Sequence, residues 1–159
     1  MAEESITLRP VTEDDQEFLL DLYKSSRGDD LRGIGWSEDR IGEFLEMQYE
    51  AHRNFLDHDY PGVEDQIVLS EGTPVGHLTI DARPDEIRLV DMALLAASRN
   101  RGTGTLLIQE LQAQSVAARC PLRLQVIRFN RAVGLFERLG FRRTSETGTH
   151  FQMEWLPKL

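Results

Sequence analysis

Residues 99–104, with sequence RNRGTG, have the composition of a segment that binds an anion through its backbone. The segment follows a predicted strand and opens a predicted helix, so its amide groups have no intrahelical acceptor and point outward together. Gly102 and Gly104 allow close approach of a phosphate and positive φ angles, and Arg99 and Arg101 add positive charge. A glycine pair alone usually shapes only a turn, but this combination predicts a cradle that fits a pyrophosphate.

Two common phosphate-binding motifs are excluded by the neighbouring residues. A P-loop ends in Gly-Lys-Ser or Gly-Lys-Thr, and neither tripeptide occurs in this chain. A dinucleotide fingerprint needs a third glycine where Leu107 stands, and an acidic residue roughly 20 positions onward, near Arg123.

The pattern Arg99, Gly102 and Gly104 resembles the Arg/Gln-x-x-Gly-x-Gly/Ala motif of the GNAT (Gcn5-related N-acetyltransferase) family. An apolar strand end at 92–95 precedes it, as in that family. About twenty-five residues downstream of the motif the family has an Asn, an Ala and an aromatic in a short helix that ends in Leu-Gly-Phe. The resemblance covers roughly residues 66–142.

The downstream motif has its counterparts here in Asn130, Ala132, Phe136 and the tripeptide 139–141. Two departures from the family pattern stand out. Phe136 replaces the usual Tyr, whose hydroxyl can protonate the departing thiolate, and Asn130 lies two residues before Ala132 instead of three.

The resemblance implies acetyl-coenzyme A as cosubstrate, held by the turn through its pyrophosphate and by the backbone of Leu94 and Leu95 through its pantetheine arm. It implies these cofactor-binding residues: Leu94, Leu95, Arg99, Asn100, Arg101, Gly102, Thr103, Gly104, Thr105, Asn130 and Phe136.

The acetyl transfer that the resemblance implies needs a base, because alkyl ammonium groups titrate near ~10.4. Asp91, on the strand beside the implied cofactor site, is the first candidate, with an ion pair to Arg88 or Arg123 as the structural alternative. His77, and after it His150, can take the role instead, although a strand histidine is more often packed or on the surface.

The thioester carbonyl also has to be polarised in this reaction. The backbone N–H of Leu94 is the candidate donor, and the removal of such donors elsewhere costs on the order of 3 kcal/mol.

Hydrophobic periodicity predicts one α/β (α+β) domain over residues 1–159, with a mixed, mostly antiparallel sheet of about seven strands and about four helices. Ser37 is expected to cap a helix with an apolar stripe that includes Phe55. The other predicted elements are strands at 5–9, 66–70, 75–81, 86–95, 122–126, 141–144 and 150–155, helices at 12–26, 105–118 and 131–139, and a substrate loop at 27–37.

Composition sets the expected setting of the protein. The formal charge of -9 comes from scattered acidic residues and argues against nucleic acid, and no run approaches the roughly 20 apolar residues of a membrane span. The single cysteine, Cys120, excludes an intrachain disulfide and fits a cytoplasmic location. One cysteine cannot form a cysteine-rich metal site, and His52 and His58 do not lie on the same face of a helix, so we expect no metal site.

Three functions remain open on the sequence. The first is an N-acetyltransferase that acts by direct transfer on a small-molecule or peptide amine, as a monomer or homodimer. The second is an acyl-coenzyme A binding or sensing module without turnover, which the Phe136 departure supports. The third keeps the enzyme but takes a protein amino terminus or lysine as acceptor.

Overall fold

The computed structural model describes residues 5–31, 34–99, 101–128 and 130–158. The strands are Ile6–Pro10 (β1), Glu64–Ser70 (β2), Thr73–Ala82 (β3), Ile87–Leu94 (β4), Leu122–Ile127 (β5), Arg142–Glu146 (β6) and His150–Trp155 (β7). The α-helices of these residues are Gln16–Leu31 (α1), Glu38–Asp59 (α2), Thr103–Ala118 (α3) and Ala132–Arg138 (α4).

The strands form one seven-stranded sheet in the order β1-β2-β3-β4-β5-β7-β6. β4 and β5 run parallel, and β1–β2, β5–β7 and β6–β7 are antiparallel pairs. The predicted mixed, mostly antiparallel sheet with about four helices is confirmed.

The chain divides into two compact units. The first contains Met1–Leu78 with Met92–Arg99, and the second contains Thr79–Asp91 with Asn100–Leu159. Strands β3 and β4 contribute to both units, so the predicted single domain stays a prediction.

In the first unit, a capping box of Thr12 and Asp15 begins the 3-10 turn Glu13–Asp15 that leads into α1, and a side-chain cap begins α2. Asp15 accepts a hydrogen bond from the Thr12 N–H at 2.8 Å, and its pair with Arg9 holds the pKa of its carboxyl well below the usual range. Ser37 Oγ accepts from the Arg40 N–H at 3.2 Å, which confirms the predicted cap of α2.

Two predictions about this pair of helices are wrong. α1 continues to Leu31 instead of ending near Ser26, because the low helix propensity of a Gly-Asp segment is only a weak preference. Phe55 is 52% exposed and lies edge-on to Tyr60, while Leu56 is buried in its place.

In the second unit, α3 buries Leu107 and Leu111, as its apolar spacing predicts. α4 ends in a Schellman motif, in which the N–H of Phe141 donates to the carbonyl of Phe136 and the N–H of Gly140 to that of Glu137. Gly140 has φ +96, and the Phe136 and Phe141 rings pack 5.6 Å apart over this helix end. The predicted stop at Gly140 is confirmed.

The described residues contain neither a membrane-spanning helix nor a group of potential metal ligands. None of the described helices combines the length and apolar composition that crossing a membrane requires. Within the same residues, no three His, Cys, Asp or Glu side chains are grouped in a way that suits a metal ion.

Gly140→Ala is expected to lower the free energy of unfolding by about 1–3 kcal/mol, because the residue is left-handed and an added Cβ lies 3.3 Å from the Trp155 ring. Gly134→Ala in α4 is the control, since the atom nearest to its added Cβ lies at 3.9 Å. Urea denaturation of both variants measures the difference, and equal midpoints would contradict the role of the left-handed glycine.

Candidate functional site

The glycine turn has the geometry of an anion cradle in the second unit. Gly102 caps α3 with φ 83 and ψ 0, and nothing lies within 4 Å of the position of an added Cβ. The first intrahelical hydrogen bond runs from the Leu106 N–H to the Gly102 carbonyl at 2.9 Å. The N–H groups of Thr103, Gly104 and Thr105 come before that bond and therefore have no acceptor within the helix.

Part of the predicted loop is helical. α3 begins at Thr103, so Gly104 and Thr105 form its first turn, and the positive φ predicted for both glycines holds at Gly102. The helix starts two residues earlier than expected because one left-handed glycine is enough to redirect the chain. Thr103 is buried and Arg101 is exposed, and the predicted site residue Asn100 lies outside the described residues.

The end of β4, in the first unit, presents backbone groups in opposite directions. The Leu95 N–H donates to the Val75 carbonyl of β3 at 2.8 Å. Because consecutive residues of a strand point to opposite sides, the Leu94 N–H and carbonyl face away from β3. Arg99 Nε donates to this Leu94 carbonyl at 3.2 Å, so Arg99 is held against the strand end.

Asp91 lies beyond the parallel pairing of β4 with β5. That pairing joins residues 87–89 to residues 122–124, and Asp91 follows it on β4, partly buried. The two arginines expected as structural partners each lie near a glutamate: Arg88 lies 3.5 Å from Glu86, and Arg123 lies 3.0 Å from Glu154.

His77 is buried in a charged network that connects β3, β2 and α2. Its Nε2 is hydrogen-bonded to Asp65, whose second carboxylate oxygen lies 3.2 Å from Arg53 Nη1. The side chain of His77 is 9% exposed. This geometry favours the packed interpretation of His77 over a catalytic one. His150 also has a local partner, since its Nδ1 lies 2.7 Å from Thr149 Oγ1.

Asn130 and Phe136 of the downstream motif stabilise the two ends of α4. Asn130 Oδ1 accepts from the Ala132 N–H at 2.8 Å and so caps the start of the helix. Phe136 is 4% exposed and packs on Phe141 at the other end.

Three contacts in the first unit were not predicted from the sequence: those of Asp65 with His77 and with Arg53, and the hydrogen bond of Arg99 to the Leu94 carbonyl. The turn Glu71–Gly72, which joins β2 to β3, was the available signal for Asp65, because a hairpin places its two strands side by side. Arg53 gives no such signal, since its contact depends on how α2 packs.

Asp65→Ala is expected to lower the free energy of unfolding by about 2 kcal/mol, because it removes the partner that His77 and Arg53 share. Asp57→Ala, at an exposed position of α2, is the matched control. Thermal or chemical denaturation of both proteins tests the network. Stability losses of the same size in the two variants would show that the contacts of Asp65 with His77 and Arg53 do not stabilise the protein.

A strand leads through a glycine turn into a helix and on to a parallel strand, within a mixed seven-stranded sheet. This arrangement defines an α/β protein whose helix α3 begins with N–H groups that have no intrahelical acceptor. The sequence model of the acetyltransferase (GNAT) family matches residues 17–141. The chain belongs to this family, as its motifs predict.

Solved structures share the fold. The PaiA N-acetyltransferase from Thermoplasma acidophilum, in complex with coenzyme A, is 20% identical with a TM-score of 0.72, over 96% of this chain and 99% of that one. The ribosomal-protein-S18-alanine N-acetyltransferase from Escherichia coli is 16% identical with a TM-score of 0.67, over 98% and 96%. A comparison with curated protein sequences finds no match.

Proposed function

We propose that this protein transfers the acetyl group of acetyl-coenzyme A directly to a primary amine. The observation that carries the proposal is the open helix start at Gly102 in a chain of the acetyltransferase family. The acceptor is a small-molecule or peptide amine. The PaiA N-acetyltransferase, which has a similar fold, was solved in complex with coenzyme A, and this supports the choice of cosubstrate.

Two parts of the cosubstrate, the pyrophosphate and the acyl-pantetheine arm, have candidate groups on the chain. The N–H groups of Thr103, Gly104 and Thr105 suit the pyrophosphate, because they lack intrahelical acceptors and stand at the positive end of the α3 dipole. The Leu94 backbone, which faces away from β3, offers an N–H for the pantetheine arm or the thioester carbonyl. Acetyl-coenzyme A supplies the activated acetyl group.

The reaction exchanges one bond for another. After losing one proton to the base, the amine nitrogen forms a bond to the acetyl carbon and the carbon–sulfur bond breaks. The nitrogen releases a second proton to solvent as the amide forms, and the departing sulfur takes up one proton. Asp91 removes the proton of the ammonium group, directly or through water, and the Leu94 N–H polarises the carbonyl. Phe136 has no hydroxyl to donate, so the sulfur takes its proton from solvent.

A second function keeps the fold but not the turnover. Phe136 is buried against Phe141 and offers no acid, so an acyl-coenzyme A binding or sensing module is the alternative. Calorimetry with acetyl-coenzyme A and a thiol-release assay with a panel of amines separate the two. An enzyme binds and releases coenzyme A with at least one amine, whereas a sensor binds without release above background.

Calorimetry also decides the proposal as a whole. If neither acetyl-coenzyme A nor coenzyme A gives a heat of binding, both functions are wrong, because both depend on the same helix start.

Asp91→Asn is expected to lower kcat/KM about 10²-fold, because the amide cannot accept the proton of the ammonium group. The pH profile of the variant should lose the limb that reports this base. Asp85→Asn, an exposed carboxylate between β3 and β4, serves as the control. An unchanged rate and pH profile in Asp91→Asn would remove Asp91 from the mechanism.

A further inference from the structure

Gly76 of β3 lies where the end of β4 comes too close for any side chain. A Cβ added at residue 76 would stand 2.5 Å from the Ala93 carbonyl oxygen and 2.6 Å from Leu94 Cδ2. Ordinary contacts of a Cβ begin near 3.4 Å. The φ of Gly76 is not in the left-handed region, so the requirement for glycine here is steric.

The backbone that approaches Gly76 is the Ala93–Leu94 segment, and the proposed mechanism uses the Leu94 N–H. Next to Gly76, the Val75 carbonyl accepts from the Leu95 N–H at 2.8 Å. This bond and the Leu94 side chain above Gly76 together set the direction of the Leu94 N–H and carbonyl. Arg99 then bonds to that carbonyl at 3.2 Å.

β3 itself is held firmly beside Gly76. His77, the next residue, is hydrogen-bonded to Asp65 of β2, and Asp65 is paired with Arg53 of α2. We therefore expect a steric conflict at residue 76 to be relieved by the end of β4, which pairs with β3 and continues into a short turn.

We propose that Gly76 is a positioning residue for the acyl-coenzyme A site: its missing side chain places the Ala93–Leu94 backbone at the distance from β3 that aims the Leu94 N–H. This inference rests on the proposed function. A methyl group at residue 76 would displace that backbone by about 1 Å, and a misplacement of this size costs on the order of 10²-fold in rate.

The test is Gly76→Ala, with Gly42→Ala as the matched control, because nothing lies within 4 Å of a Cβ added at residue 42. We expect kcat of Gly76→Ala to fall about 10²-fold. We also expect weaker binding of acetyl-coenzyme A but unchanged binding of its nucleotide half, which lacks the pantetheine arm. Gly42→Ala should match the wild type in all three measurements.

Three outcomes overturn the proposal: unchanged kcat and affinity in Gly76→Ala, equal losses for acetyl-coenzyme A and its nucleotide half, or equal losses in Gly42→Ala. Failure of the proposed function looks different, because the wild-type protein itself would then bind neither ligand.

A second variant covers the case in which Gly76→Ala does not fold. Leu94→Ala keeps Gly76 and the backbone but removes the Cδ2 that lies over it. We expect acetyl-coenzyme A to bind about tenfold more weakly, roughly 1.4 kcal/mol, and its nucleotide half to bind as in the wild type. Unchanged binding of both ligands would show that this contact positions nothing.

Discussion

The structure depends on the end of β4, where the backbone is bonded to β3 on one side and to a side chain on the other. The Leu95 N–H of β4 is bonded to β3, while the Leu94 N–H and carbonyl face the other way, and one of them is used by Arg99. Buried backbone groups of a sheet are normally paired, so an end of this kind needs support from elsewhere. Gly76, together with the network of His77, Asp65 and Arg53 beside it, supplies that support.

The start of α3, like the end of β4, presents backbone groups that are not bonded within their own element. Gly102 turns the chain with φ 83, and the next three residues enter α3 with their N–H groups still unused. Gly104 is one of these helical residues and does not have a positive φ. The two glycines of the motif therefore occupy different positions, one at the cap and one in the first turn of α3.

Local signals predicted much of this architecture, because strand alternation and helix caps depend on residues close in sequence. Ser37 and Gly140 mark helix ends that the structure confirms. The end of α1 and the exposure of Phe55 were predicted wrongly, because helix propensity and apolar spacing are only weak preferences. The glycine turn was found from its motif, and the turn after β3 predicted that β3 and β4 are neighbours. How closely the end of β4 approaches Gly76 is not specified by any local pattern, and neither is the pairing of Asp65 with Arg53, which depends on how α2 packs.

At the C-terminal end of α4, the packing role of the aromatic residue 136 does not depend on the hydroxyl that a tyrosine would bring. The ring of Phe136 lies against Phe141 and covers the hydrogen bonds that close the helix, and this packing uses carbon atoms alone. A chain can therefore exchange Tyr for Phe here and keep the helix end intact. An aromatic residue at this place is evidence of a well-closed helix, and it says nothing about whether the protein carries its own proton donor.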